Sequence, residues 1–272
     1  TMVTVVDAAN FFRDFGSPET LVDRDLTDIE GDDRTIVNLL TDQVEFANVI
    51  VLNKVDAVSE EHLGILRSTL KKLNPNADLV ETNFSKVDPK RILNTGLFDF
   101  EEAEASAGWI EELNKEEHTP ETEEYGIGSF VYRSTLPFDP ERFWHYFQTR
   151  FPSNIIRSKG LFWIASRPDQ ALIWGQTGGS IRTDSAGVWW CSMPFSKRIQ
   201  FLSFIENQDE IEAAWDPTFG DRKTEIVIIG QNLDEAQIRQ ELDACLVPLD
   251  RLHENWQLGF QDEWPVERSV PL

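Results

Sequence analysis

Val49-Ile50-Val51-Leu52, followed directly by Asn53-Lys54-Val55-Asp56, is the stretch on which the reading of this chain turns. Four consecutive apolar residues, mostly β-branched, suit a strand buried on both faces, as in parallel sheets covered by helices. In open α/β sheets ligands bind just beyond the carboxyl ends of such strands. Asn-Lys-x-Asp at that place suits a guanine base. The Asp56 carboxylate can accept from both the ring N–H and the exocyclic amine in a bidentate, charge-assisted pair. The Asn53 amide can meet the N7 and O6 edge, and the aliphatic stem of Lys54 can cover the ring plane while its ammonium stays wet. Adenine offers an acceptor at the ring nitrogen and no amine on the neighbouring carbon, so it would leave Asp56 unpaired, at about 1–3 kcal/mol. The competing reading is a strand followed by a polar turn. The buried strand before the motif and the capped helix after it favour base recognition.

Outward from this point the pattern is strand, helix, strand, helix. Val3–Val6 reads as a strand ending at Asp7, and residues 16–33 as an acidic, irregular stretch. Ile36, Leu40, Val44 and Ala47 share one helix face. Ser59 caps a helix striped by Leu63, Leu66, Leu70 and Leu73, which Asn74-Pro75 stops. A third strand is expected near Leu79-Val80. This alternation predicts part of an α/β parallel sheet over residues 1–98. Residues 99–125 form an acidic linker, in which Trp109-Ile110 is expected to dock. An α+β domain is expected over 126–250, ferredoxin-like in its order of elements, with an irregular, strap-like tail over 251–272. Its strands are placed at 127–132, 160–165, 171–176, 188–191 and 225–229. Asp139-Pro140 opens a helix on which Phe143, Phe147 and Phe151 form an i,i+4 aromatic stripe. Asp234 and Gln237 form a capping box flanked by the staple Leu233 and Ile238, with Leu242 and Leu246 also turned to the core.

The whole chain has 272 residues, enough for two domains without disulfide or metal staples. Its formal net charge of -23 sets it against nucleic acid phosphates and anionic membranes. The reading is therefore no nucleic acid and no membrane partner. Two cysteines, no basic leader before the first strand and no run of ~18 apolar residues make the expected compartment cytoplasmic. The chain opens inside an apolar strand, so further sequence upstream is expected. Nine Trp and eighteen Phe, most of them late in the chain, are assigned to the core of the second domain.

Other chemistry is weakly supported. No phosphate-binding G-x-x-x-x-G-K-[ST] occurs, and Gly175–Ser180 reads as a hairpin turn. His62, His118, His145 and His253 are isolated, and Cys191 and Cys245 read as small buried hydrophobes, so no metal ligand and no catalytic residue is assigned. Arg157, Lys159, Arg167, Arg182, Lys197 and Arg198 stand beside aromatic strands. Single-strand nucleic acid binding is one reading of that mixture; salt bridges to the acidic first domain, or a phosphate-facing surface, are the commoner ones. Asp221-Arg222-Lys223 reads as a turn with a local ion pair.

Taken together these segments resemble the CobW-like P-loop GTPases, a family of metal-centre chaperones and insertases. The resemblance is carried by 3–8 (Val-Thr-Val-Val-Asp-Ala), by 43–56 ending in Asn53-Lys54-Val55-Asp56, and by 73–77 with 94–99. In the second domain it is carried by 126–133, 137–142, 157–168, Phe219-Gly220-Asp221-Arg222-Lys223 and 242–246. It implies a partial P-loop GTPase-type sheet followed by a CobW C-terminal domain, in a zinc- or related metal-handling metallochaperone. It implies Asn53, Lys54 and Asp56 as nucleotide-binding residues. GTP with magnesium, and zinc, are implied for a complete family protein, with none assigned to this chain alone. A metal-dependent client protein or self-association is the implied partner. The family's phosphate loop, magnesium aspartates and Cys-x-Cys-Cys motif would lie upstream of Val3, and the His-rich interdomain loop of many relatives is here glutamate-rich with only His118. The family hydrolyses GTP; this chain by itself is expected neither to do so nor to hold zinc tightly. The alternative is a non-catalytic interaction module built on the aromatic-rich C-terminal domain.

Overall fold

The computed structural model describes residues 1–17, 19–27, 34–99, 113, 124–252 and 258–267. The expected docking of Trp109-Ile110, and His118 and His253, lie outside the described residues.

The first domain is built on three parallel strands, β1 (Val3–Asp7), β2 (Val49–Asn53) and β3 (Asp78–Thr82), in the order β1-β2-β3. Their register aligns Asp7, Asn53 and Thr82, so the carboxyl ends of all three strands finish on one rim. Helices α1 (Phe11–Phe15), α2 (Ile36–Glu45) and α3 (Glu60–Leu73) complete the unit. Val49–Leu52 is buried throughout, and the expected stripe Leu63, Leu66, Leu70 and Leu73 packs with Val37, Val44, Ile50 and Leu52. Ser59 caps α3 by accepting from the His62 N–H. Asn74, read from sequence only as a stop, does more. Its fully buried amide donates to the carbonyls of Val44, Glu45 and Ala47 at 2.8, 3.1 and 2.9 Å, gathering carbonyls at and just beyond the end of α2. The outer edge of β1 is unpaired among the described residues, with Val3 and Val5 exposed.

The second domain has β4 (Ile127–Ser134), α4 (Pro140–Thr149), β5 (Ile155–Phe162), β6 (Gln170–Thr177) and β7 (Ser180–Val188). Three short helices, α5 (Phe195–Arg198), α6 (Leu202–Glu206) and α7 (Gln208–Ala213), lead to β8 (Thr224–Gln231) and α8 (Glu235–Asp243). The antiparallel sheet runs β4-β8-β5-β6-β7. Because β8 lies between β4 and β5, β4-α4-β5 is a split β-α-β unit, the ferredoxin-like signature. The aromatic surplus fills this core: Phe138 stacks on Phe143 at 3.7 Å between ring centres and Phe147 on Trp174 at 3.8 Å. Trp264 of the tail joins the same core and donates from its indole to the Pro140 carbonyl. A buried Arg167–Asp262 pair holds the strap down at 2.6 Å.

Several local readings need correction: the strand expected at 160–165 is β5, Ile155–Phe162, and Phe151 lies beyond the end of α4 at Thr149. The strand expected at Val188–Cys191 ends at Val188, and Trp190–Ser192 is a 3₁₀ turn. The Asp221 carboxylate takes the N–H groups of Trp190 and Cys191, which removes both from any strand ladder. The capping box is half made: Asp234 accepts from the Gln237 N–H, whereas the Gln237 side chain donates forward to Glu241. Asp221-Arg222-Lys223 includes the expected local pair, Lys223 with Glu225, but Arg222 also reaches the Pro168 carbonyl and the Ser192 hydroxyl. Gly220 (φ +70°) lets this turn pass against Cys191, where a Cβ would meet the Cys191 Cβ at 2.3 Å.

Of the basic minority of the second domain, Arg157 and Arg167 are buried, Lys159, Lys197 and Arg198 are half-buried, and Arg182 is exposed and paired with Asp184. Arg157 on β5 reaches Glu45 at the end of α2 at 2.8 Å, with both side chains buried, and also donates to Thr177 Oγ1 at 2.6 Å. Lys159 is half-buried, and desolvation pulls its ammonium pKa down even though Glu45 acts in the opposite direction. The Tyr125 ring lies over Gly64 of α3, where a Cβ would meet it at 2.1 Å. Gly178 of the β6–β7 turn lies as closely on the Phe15 carbonyl of α1. All three helices of the first domain thus touch the second, directly or through their final turn.

Candidate functional site: the rim of the parallel sheet

The three sequence-predicted site residues stand together at the end of β2. Asn53 is its last residue, half-buried. Lys54 follows with φ 63°, a left-handed conformation uncommon outside glycine, and this turn launches the 3₁₀ segment Val55–Ala57. The turn displays the next side chains on the rim rather than returning them to the sheet. The Asp56 carboxylate is exposed and, among the described residues, takes no hydrogen bond, while its backbone N–H donates to Asn83 Oδ1 at 3.2 Å.

The rim contains partners that sequence reasoning missed. The Lys54 ammonium is tied to Asp7 Oδ2 at 2.7 Å, so the stem is held across the strand ends. Asp7 also accepts from the Asn10 amide at 2.7 Å and the Ala9 N–H at 3.0 Å. Burial pushes the Asp7 carboxyl up, but the bonds from Lys54, Asn10 and Ala9 outweigh it and hold it below the usual carboxylate range. Asn53 Oδ1 accepts from the Ser85 N–H at 2.9 Å, which fixes the side chain and leaves its amide N–H₂ to donate.

The loop after β3 is the other missed part. Asn83, through Asp56, and Ser85, through Asn53, tie it to the motif. Phe84 and Ser85 are both left-handed, with φ 56° and 52°. Consecutive non-glycine residues there store strain, typically about 1–3 kcal/mol each. Phe84 is 82% exposed, with the Lys86 ammonium 6.0 Å from its ring centre. The available signal was positional: a loop following the strand beside β2 finishes on the same rim.

Chemically, the rim offers a free carboxylate, an oriented amide and an aliphatic stem. That set fits the edge and face of a guanine base. Among the described residues no three His, Cys, Asp or Glu side chains converge. Burial raises the thiols of Cys191 and Cys245 to about 11, which keeps both protonated and poor ligands. Cys245 is buried as expected and Cys191 is half-buried.

A parallel sheet with this rim, joined to a split β-α-β domain, defines the class. Residues 1–81 match the CobW/HypB/UreG nucleotide-binding domain and residues 127–246 the cobalamin synthesis protein cobW C-terminal domain, and the chain belongs to this CobW family. Among curated proteins it is similar to the zinc-regulated GTPase metalloprotein activator 1 of Dictyostelium discoideum. The two are 41% identical over 250 residues, which is 91% of this chain and 52% of that protein. It is 25% identical over 260 residues to a zinc chaperone of Mycobacterium tuberculosis, covering 94% of this chain and 59% of the relative. The chain therefore spans little more than half the length of these relatives. Among solved structures it matches the Zn(II)-bound YjiA GTPase from E. coli at 18% identity and a TM-score of 0.39, over 90% of this chain and 60% of that one. No helix among the described residues is long and apolar enough to cross a membrane.

Proposed function

We propose that this chain is the guanine-selecting and C-terminal part of a GTP-binding zinc metallochaperone, whose client is a metal-dependent protein. The observation that carries the reading is the Asp56 carboxylate, exposed and without a partner among the described residues, beside an Asn53 already fixed by Ser85 and a Lys54 already fixed by Asp7. A carboxylate left open among restrained neighbours is a preorganised acceptor. Asn53, Lys54 and Asp56 would hold the base. The Asn83–Lys86 loop would form the second wall, and its stored strain supports a binding role over a plain turn. Bound GTP supplies the phosphate and magnesium chemistry that gates metal transfer in such a protein.

The phosphate, magnesium and zinc contacts are assigned to residues outside this rim. The open edge of β1, with Val3 and Val5 exposed, is where further parallel strands would add. On this reading the chain alone neither hydrolyses GTP nor retains zinc. Titration of GMP and AMP followed by ligand-observed NMR tests the base site without requiring phosphate-loop contacts. GMP should bind in preference to AMP, and Asp56→Ala should abolish the preference. Equal binding of the two nucleotides to the unaltered chain would refute it.

A further inference from the structure

The connection between β7 and β8 carries a concentration of exposed apolar side chains unlike the rest of its domain. Phe195, Ile199, Phe201, Leu202 and Ile205 are 54, 44, 39, 67 and 52% exposed, all within α5, α6 and the turn between them. Isolated exposed apolar residues need no explanation, but a contiguous group marks an interaction surface. The segment is anchored from beneath. Phe204 is fully buried and packs on Trp190, and the Arg198 guanidinium stacks over Trp215 while donating to the Met193 carbonyl. Its outward residues are therefore presented on a fixed platform, and pre-organisation lowers the ordering cost of binding.

The charge around the strip identifies what fits it. Glu206, Asp209, Glu210 and Glu212 follow immediately on α6 and α7, all exposed, and none forms an ion pair among the described residues. Of the two cations within the strip, Arg198 is committed to Met193 and Trp215, leaving Lys197. With a formal charge of -23 on the chain, a second copy meets long-range repulsion as well as a like-charged rim. We infer that this strip is a docking surface for an amphipathic helical segment of another protein, apolar on one face and rich in Lys or Arg along its edges. The apolar face covers Leu202, Ile205 and Phe195, and the basic edge meets the α6–α7 carboxylates. This inference does not depend on the guanine site.

The test uses a fluorescently labelled peptide of ~18 residues with Leu at helical i, i+3, i+4 spacing and Lys elsewhere. A second peptide scrambles the Leu positions at identical charge, which isolates the general attraction of any cation to so acidic a protein. Fluorescence anisotropy should show at least ~10-fold tighter binding of the patterned peptide than of the scrambled one. Leu202→Asn/Ile205→Asn should remove that advantage, and Asp209→Asn/Glu210→Gln/Glu212→Gln should weaken both peptides. These residues are exposed, so the variants should unfold at the parent midpoint. Equal binding of the two peptides overturns the proposal. So does an advantage that survives Leu202→Asn/Ile205→Asn. A dimer in sedimentation equilibrium that those two substitutions dissociate also overturns it, because a second copy would then be the occupant.

Discussion

The parallel sheet and the antiparallel sheet of this protein use polar side chains for opposite ends. At the rim of β1, β2 and β3, polar groups restrain one another and leave Asp56 open. In the second domain Arg157, Arg167 and Arg222 are turned inward and spent on Glu45, Asp262 and backbone carbonyls. The rim thus retains an unused acceptor at a strand end, while the larger sheet uses its cations as fasteners. The difference teaches that the same polar chemistry can be left open at a strand end or closed off as a fastener. The Glu45–Arg157 pair joins the two regions, since α2 runs from that pair through three residues into β2.

The largest expected effect breaks the scaffold side. Phe143→Ala removes a ring packed against Phe138, Phe147, Phe162 and Trp264, and should cost about 3–5 kcal/mol. Urea unfolding followed by tryptophan fluorescence reads this directly, because every Trp lies after residue 98. Next is the joint. Arg157→Met leaves Glu45 buried without its principal partner, expected at about 3 kcal/mol, the low end for a broken buried pair because Lys159 stands near Glu45. Glu45→Met/Arg157→Met should recover most of that loss, and a double variant no better than the single one would show that the pair matters through shape. Asn74→Ala should follow at roughly 2 kcal/mol, since it removes the donor to carbonyls at and just beyond the end of α2.

A smaller effect separates the strap from the sheet it covers. Burial raises the Asp262 carboxyl, but Arg167, Ser166 and the Trp264 N–H more than offset this and hold it below its ordinary value of 3.8. A depressed folded value means that the strap's contribution is present above pH 3.8 and is lost as pH falls through the folded value. Near-UV circular dichroism should report Trp264 loosening in that acid window. Asp262→Asn should show the loosening already at neutral pH, and an unchanged acid limb would break this assignment.

Local signals were the legible ones. The apolar run at 49–52, the Ser59 cap and the pair Phe143 and Phe147 are written in neighbouring residues and stand where expected, while Phe151 reaches the same core from beyond the helix end. Asn53, Lys54 and Asp56 also sit at the strand end where they were placed. What escaped depends on residues far apart in the chain. Arg157 and Glu45 are 112 positions apart, and Lys54 and Asp7 are 47 apart. The early end of β7 came from Asp221, 30 residues beyond Cys191. The Asn83–Lys86 loop was hidden for another reason: its left-handed residues are Phe84 and Ser85, with no glycine to announce the turn.

The central claim is that Asp56 reads the amine side of a purine, and exchanging its chemistry tests that most directly. Asp56→Asn replaces an acceptor with a group that can also donate, so the variant should lose GMP and gain XMP, whose ring carries a carbonyl where guanine has the amine. Ligand-observed NMR with both nucleotides should show the preference reverse. A variant that still prefers GMP, or a parent chain indifferent to the two, would contradict the account.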